Sequence, residues 1–406
     1  MTSLLHRIPA SITREVLDGL VENNAPESQF LDYKQILPLS KPDEKKDFLK
    51  DVSAFANSDG GDMLVGIRSE EGVPEEIAGI PITEFDSLRN TIEQILEHGL
   101  SPRLTSVQVI SVPVSNDSIV MLIRVPKSWN APHRVELGVE RFYKRTSGRK
   151  YLMNVDELRA AFGFGDNFRN RLNALHRQMF AAIPERMPDL SGQPFVSIYL
   201  IPYSTLGSPR MLGGLSGEDS TTLRPLGTGW GARSRSNFDG LLATYSSEEK
   251  VEAFTQLYRD AIVESASSGM LKNCTGAREG SMAKGVLPTR LMAARLILAA
   301  ERFLRVQARL GVSGPVGIFV SIVGIRGFTI RDDHRNRFFE RVETLIDRDV
   351  LHLPEIVAEQ IPLDRDAIKL AFRDPLDRLW NAAGWPRSLL YDDQGHCQID
   401  ECWFVE

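Results

Sequence analysis

The densest chemistry in this sequence is a cationic run, Arg141-Phe142-Tyr143-Lys144-Arg145-Thr146-Ser147-Gly148-Arg149-Lys150, with five cations, two aromatics and no acid. Cations on an exposed strand either keep a hairpin edge from pairing with other chains or hold phosphates. A second segment, Glu27-Ser28-Gln29-Phe30-Leu31-Asp32-Tyr33-Lys34, sets two carboxylates close to an amine. Taken alone, it reads as surface acids beside Lys34. His396-Cys397 with Cys402 is the one cluster of soft metal-ligand types, and it lacks the second Cys/His pair of a four-ligand zinc site. His133, after Pro132, is a candidate general acid, but a lone loop imidazole needs no partner.

The strong catalytic signatures are absent. There is no G-x-x-x-x-G-K-[ST] loop, no H-E-x-x-H, no G-x-S-x-G elbow and no paired C-x-x-C. Gly227-Thr228-Gly229-Trp230-Gly231 neither follows a clear strand nor opens a clear helix, so it reads as a flexible loop rather than a dinucleotide fingerprint.

These residues need elements to hold them, and the chain is long enough to supply several. Its 406 residues, 42% hydrophobic and 25% charged, exclude disorder and pure coiled coil. The length suggests two or three domains. Forty-eight Lys+Arg against 54 Asp+Glu give a net charge of −6, so any polyanion site must be a local basic patch. Residues 1–165 hold 19 cations and 24 acids, and the remainder 29 and 30. The cationic run therefore stands out in an acidic half. Three cysteines and no apolar stretch of membrane-spanning length point to a cytoplasmic protein without a membrane partner. The N-terminus lacks the apolar core and cleavage site of a signal peptide.

Periodicity predicts helices over Ser11–Asn24, Pro42–Ala56 and Thr83–His98, an extended segment over Pro26–Ile36, and strands at Met63–Ile67, Leu104–Val114, Ser118–Val125 and Val139–Arg145. Asn57–Gly61 reads as a tight turn. This α/β unit, of α+β type with a mixed sheet, ends near Gly165. A connecting helix follows over Asp166–Met187, and a second α/β domain of unknown role occupies 191–406. That domain opens with a strand, Pro194–Tyr203, and a loop, Ser204–Ser236. Helices are predicted at Ser247–Ser265, Pro288–Leu310 and Pro354–Gln360, with a strand at Val316–Val323.

Residues 20–160 resemble the Schlafen/AlbA-like domain. The family pattern E-S-x-x-x-E-F-K matches Glu27 to Lys34, and A-F-A-N-T-x-G-G matches the segment through Ala56-Asn57-Ser58-Asp59-Gly60-Gly61. A strand ending in G-V-D-D corresponds to the one through Gly66-Ile67, and Y-Y-x-R-x-G-S to Phe142–Gly148. The resemblance implies one of two activities. Some members are RNA endonucleases that act on tRNA-like substrates in antiviral defence and depend on Mg²⁺ or Mn²⁺. Others are non-catalytic DNA- or ATP-binding regulators. In the nucleases three acids hold the ion, which activates water and neutralises charge developing on the phosphate. Carried over, the metal ligands are Glu27 and Asp32, the third position is Ser69, and Lys34 completes the catalytic group. Glu70, Glu71 and Asp62 are nearby acids, but Glu71 shares the face of Ser69 only if the strand continues. The same resemblance implies nucleic-acid contacts at Lys34, Arg141, Lys144, Arg145, Arg149 and Lys150. It leaves the C-terminal domain to a protein partner, a second copy of the chain or a trigger.

Overall fold

The computed structural model describes residues 4, 11–138, 140–147, 149–206, 223–229, 231–272, 274, 282–312, 314–330 and 344–404, with the backbone alone at 164–167. Val139, Gly148, Trp230 and most of the expected loop 204–236 thus lie outside the described residues. The fold is α+β, in two compact units, Met1–Asn170 and Arg171–Glu406.

In the first unit, α1 (Arg14–Glu22) ends where Asn23 and Asn24 follow it, Asn24 at a φ of 48°. Strand β1 (Leu31–Lys34) then runs parallel to β2 (Gly60–Val65), with α2 (Pro42–Ala56) crossing between them. Pro42 starts α2, and the Glu44 carboxylate accepts from the N–H groups of Ser40 and Lys41 just ahead of it. The expected strand 63–67 is split. Gly66, at a φ of 106° that favours glycine, ends β2, and β3 (Ile67–Glu70) pairs instead with β4 (Val73–Ile77). The β3–β4 turn is Glu71-Gly72, both at positive φ as in a type I′ hairpin.

Strand β5 (Ile80–Pro81), helix α3 (Phe85–Gly99), and strands β6 (Leu100–Ser101), β7 (Gln108–Pro113) and β8 (Ser118–Pro126) follow. The first sheet runs β1-β2-β8-β5 with β7 on β8. Its two faces divide by alternation. Met63 and Val65 face the α2 core with Phe48, Val52 and Phe55, whereas Tyr33 and Leu64 face Leu17 and Leu20 of α1. A second sheet, β11-β10-β9-β6, is built from β9 (Arg134–Val135), β10 (Arg141–Thr146) and β11 (Arg149–Leu152).

Helix α4 (Val155–Ala181) contains the division between the units and starts well before the expected Asp166; a short α5 (Ile183–Arg186) follows it. The second unit is built on a large antiparallel sheet. Its strands are β12 (Phe195–Pro202), β13 (Arg233–Ser236), β14 (Gly240–Ser247), β15 (Lys250–Tyr258), β16 (Val263–Ser267), β18 (Val316–Val323), β20 (Val350–His352) and β21 (Ile356–Ala358). A small pair, β17 (Gly285–Val286) with β19 (Phe328–Thr329), lies apart from it. Helix α6 (Thr289–Arg309) supplies the core with Met292, Leu296, Ile297, Phe303 and Leu304. Helices α7 (Arg365–Ala371) and α8 (Arg373–Ala382) close the unit.

Two helix expectations fail here. Ser247–Ser265 is the β15–β16 hairpin: Phe254, Thr255, Leu257 and Val263 are buried strand residues, and Arg259-Asp260-Ala261 turns the chain with Ala261 at positive φ. Pro354–Gln360 holds β21, whose Ile356 and Val357 are β-branched and pair with β18. Strand β13 also lies inside the expected loop 204–236, paired with β14.

Candidate functional site

Alternation along β1 sends Asp32 and Lys34 to the α2 face. From α2, Asp47 and Asp51 stand one turn apart on the same side. From the β10–β11 hairpin, Arg145 and Lys150 are cross-strand neighbours and therefore share a face. These six side chains form an alternating chain of charge. Arg145 Nη2 lies 3.0 Å from Asp32 Oδ1, and Lys34 Nζ lies 2.9 Å from Asp32 Oδ2. Lys34 Nζ is 3.9 Å from Asp51 Oδ2, and Lys150 Nζ is 2.8 Å from Asp51 Oδ1 and 3.1 Å from Asp47 Oδ1. Asp32 Oδ2 is buried, and its contact with Lys34 is a close ion pair off the line of a hydrogen bond.

Arg145 is the anchor of this chain. Its guanidinium also donates to the carbonyls of Ser28 and Leu31 and lies over the Phe55 ring at 4.5 Å. Its backbone N–H donates to Ser58 Oγ. Burial opposes the charge on Lys34, but Asp32 and Asp51 outweigh it and hold the amine above its ordinary range. Burial raises Asp51 despite Lys150, whereas for Asp47 the pull of Lys150 wins and lowers it.

Glu27 sits at the end of this chain, half-buried. Its Oε1 accepts from the Tyr33 N–H at 3.2 Å, and its own N–H donates to the Gly72 carbonyl in the β3–β4 turn. Burial raises its pKa, and the nearby Asp32 charge adds to the rise. Glu27, Asp32 and Lys34 are thus brought together, but the third acid is not. Ser69 sits in β3, Glu71 is in the turn rather than on an extended strand, and Glu70 is exposed. Asp62 points to the other face of the sheet, where Arg124 holds it through two bonds of 2.8 Å. Among the described residues no three His, Cys, Asp or Glu side chains converge on a metal-sized point. With Ser69 in the third position and both Asp32 oxygens turned to cations, these residues do not fit a divalent ion.

The expected basic edge divides by strand parity. Arg145 is buried, with its side chain 2% exposed, and Lys150 is tied to Asp47 and Asp51. Acids of β1 and α2 thus already hold both of these expected phosphate contacts. Lys144 and Arg149 fall on the opposite face, opposite Tyr151 and Thr146 respectively. Arg149 and Arg141 are exposed, and among the described residues neither forms an ion pair. Lys144 reaches Glu157 at 3.8 Å and borders a cleft of about 280 Å³. Lys127 stands on the cleft's rim, paired with Asp59 at 2.9 Å, and Met153, Ala160 and Ala161 form apolar wall.

The remaining candidates are structural. Asn57 ends α2, its backbone N–H donating to the Ser53 carbonyl, and its side chain ties that end to two other segments by donating to the carbonyls of His133 and Tyr143 and accepting from the His133 N–H. His133 is fully buried between the Pro102 carbonyl and Ser128 Oγ, and burial lowers its pKa. Cys397 and Cys402 are free thiols, and His396 pairs with Asp392. Sequence reasoning missed Asp51 and Asp47. The available signal was an acid interrupting the apolar stripe Phe48, Val52, Phe55 at helical spacing. The cleft combines the turn after α2, the segment after β8, β10 and α4, and left no local signal.

The Schlafen, AlbA_2 family matches residues 27–154. No curated protein matches the chain. Solved structures that share local similarity include the N-terminal domain of a putative ATP-dependent DNA helicase RecG-related protein from Nitrosomonas europaea. It is 22% identical over 29% of this chain and 74% of that one, with a TM-score of 0.22. Another is the DIP2311 protein from Corynebacterium diphtheriae, 21% identical over 35% of this chain and 27% of that one, with a TM-score of 0.23. No helix among the described residues is long and apolar enough to cross a membrane. Residues 27–154 are thus similar to the Schlafen, AlbA_2 family, which suggests nucleic-acid binding.

Proposed function

We propose that the N-terminal unit binds nucleic acid through the outward face of the β10–β11 hairpin, with Lys144 and Arg149 on phosphates and Lys127 at the margin. The observation that carries this reading is the parity split: the hairpin spends Arg145 and Lys150 on internal acids and leaves Lys144 and Arg149 facing out. Two ion pairs at the cleft, Lys127–Asp59 and Lys144–Glu157, have a carboxylate that a phosphate can replace at little cost. Contacts of this kind carry affinity and salt dependence and little base information.

Cleavage of tRNA-like RNA is the finer reading that the family resemblance raises. It calls for a third acid, and position 69 is a serine. Binding without metal-dependent cleavage is the reading supported here. The test is anisotropy titration of a tRNA transcript and a DNA duplex across salt concentrations. Lys144→Ala/Arg149→Ala is expected to weaken binding to both and to flatten the slope of log K against log salt by about one to two units. An unchanged slope would put this face in solvent. Cutting of the tRNA in Mn²⁺ that Glu27→Ala/Asp32→Ala abolishes would restore the nuclease.

A further inference from the structure

We infer that Lys34 is the resident cation of the Glu27–Asp32–Asp51 cluster, occupying the role of a divalent ion, so that the acid site of this chain assembles without metal. The first support is charge. Glu27, Asp32, Asp47 and Asp51 are four acids, and Lys34, Lys50, Arg145 and Lys150 are four cations that touch them or their neighbours. The cluster is neutral as folded. A divalent ion would add two positive charges to a partly buried set already in balance, and would repel an amine and a guanidinium at close range.

The second support is geometry. Asp32 is the acid an ion would share with Glu27, yet Arg145 takes its Oδ1 at 3.0 Å and Lys34 meets its Oδ2 at 2.9 Å. Both cations are supplied by the fold itself. Lys34 follows Asp32 on the same face of β1, and Arg145 is pinned by Ser28, Leu31 and the Phe55 ring. Because folding itself delivers these charges, the acids are neutralised at any metal concentration. The third support is Ser69, which leaves the site short of the carboxylate that would make room for a double charge. The inference concerns the cluster alone and stands apart from nucleic-acid binding.

The experiment is thermal melting of the full chain in EDTA and in MnCl₂, wild type beside Lys34→Met. Methionine keeps an apolar stem at this position and deletes the charge. The wild type is expected to melt at the same temperature in both buffers. Lys34→Met is expected to melt lower in EDTA and to rise by about 5–10 °C at a hundredfold excess of Mn²⁺ over its Kd. Adding Asp32→Asn should remove that rise. A wild-type rise equal to that of the variant overturns the inference, and so does a variant that ignores Mn²⁺. Should Lys34→Met fail to fold, paramagnetic resonance of Mn²⁺ with the wild type decides. A spectrum of free ion supports the resident cation, and a bound signal that Glu27→Gln abolishes refutes it.

Discussion

Both units bury ionised carboxylates, but they neutralise them in opposite ways. The N-terminal unit sets Asp32 and Asp51 in an alternating series of cations and acids that reaches the surface through Lys34 and Lys150, each about a third exposed. The second unit seals one acid, Glu264 on β16, completely. Arg186 grips both of its oxygens, and the Tyr199 and Tyr258 hydroxyls donate to it at 2.9 Å and 2.5 Å. Burial and Glu264 together push both phenols up, so they remain protonated donors. Asp32 keeps one cation if the other is removed, whereas among the described residues Glu264 meets a single cation. The first arrangement shares each acid between two cations; the second is a structural joint.

The largest expected effect breaks that joint. Arg186→Met leaves Glu264 charged, buried and without a cation, and is expected to cost about 3–5 kcal/mol in urea unfolding. Arg145→Met removes one of two cations from Asp32, and Lys34 remains at 2.9 Å, so a smaller loss of about 1–3 kcal/mol is expected. Equal losses at the two sites would erase the distinction between a shared and a sole counter-charge. Lys144→Ala, on the outward face of the same strand, should stay within about 0.5 kcal/mol of wild type, because a part-exposed pair 3.8 Å apart such as Lys144–Glu157 contributes little.

The second unit also buries neutral polarity. His176 stacks on Phe319 at 4.7 Å, and its Nε2 lies 3.3 Å from Ser321 Oγ, which in turn meets His352 Nδ1 at 2.8 Å. Burial, followed by the His352 and Arg177 charges, lowers the His176 pKa to about 4. The unfolded chain therefore binds this proton first on acidification. Stability is fully present above the unfolded value of about 6.5 and falls between there and about pH 4, at no more than about 1.4 kcal/mol per pH unit. Melting temperatures from pH 7 to 4 should drop less in His176→Gln than in wild type. Parallel curves would mean that other groups carry the acid sensitivity.

How much of this was legible follows from the range of the signal. Helix α2, strand β8 and helix α6 repeat their apolar residues at their own period, and a local window finds them. Lys250–Ser267 mixes both periods, and pairing with β14 and β12 decides it as a hairpin, which no local window contains. The triplet Glu27, Asp32, Lys34 was readable as a motif. Its electrostatic state was not, because the partners that neutralise it come from residues 51, 145 and 150. The cationic run shows the same limit. Its composition announced a basic edge, but only the register Arg145↔Lys150 separates inward cations from outward ones.

The smallest effect tests the open end of the alternating series. Glu27 is half-buried, and burial followed by the Asp32 charge raises its pKa. An acid with a raised folded pKa binds its proton more tightly in the native state. Its contribution to stability is therefore favourable below the unfolded pKa and is lost as pH rises through the folded one. At neutral pH the charged Glu27 carries that cost. Glu27→Gln removes the charge and keeps an oxygen to accept the Tyr33 N–H, so it should raise the melting temperature slightly at pH 7 and leave it unchanged near pH 4. Glu27 lacks the direct cation contacts that Asp32 has, so Asp32→Asn, which strands Arg145 in its buried site, should instead lower the melting temperature at pH 7. Opposite signs for two carboxylates so close in sequence would establish that direct contact with a cation, which Asp32 has and Glu27 lacks, decides the sign. If Glu27→Gln destabilises at pH 7 as well, the pull of Lys34 and Arg145 on Glu27 outweighs its burial.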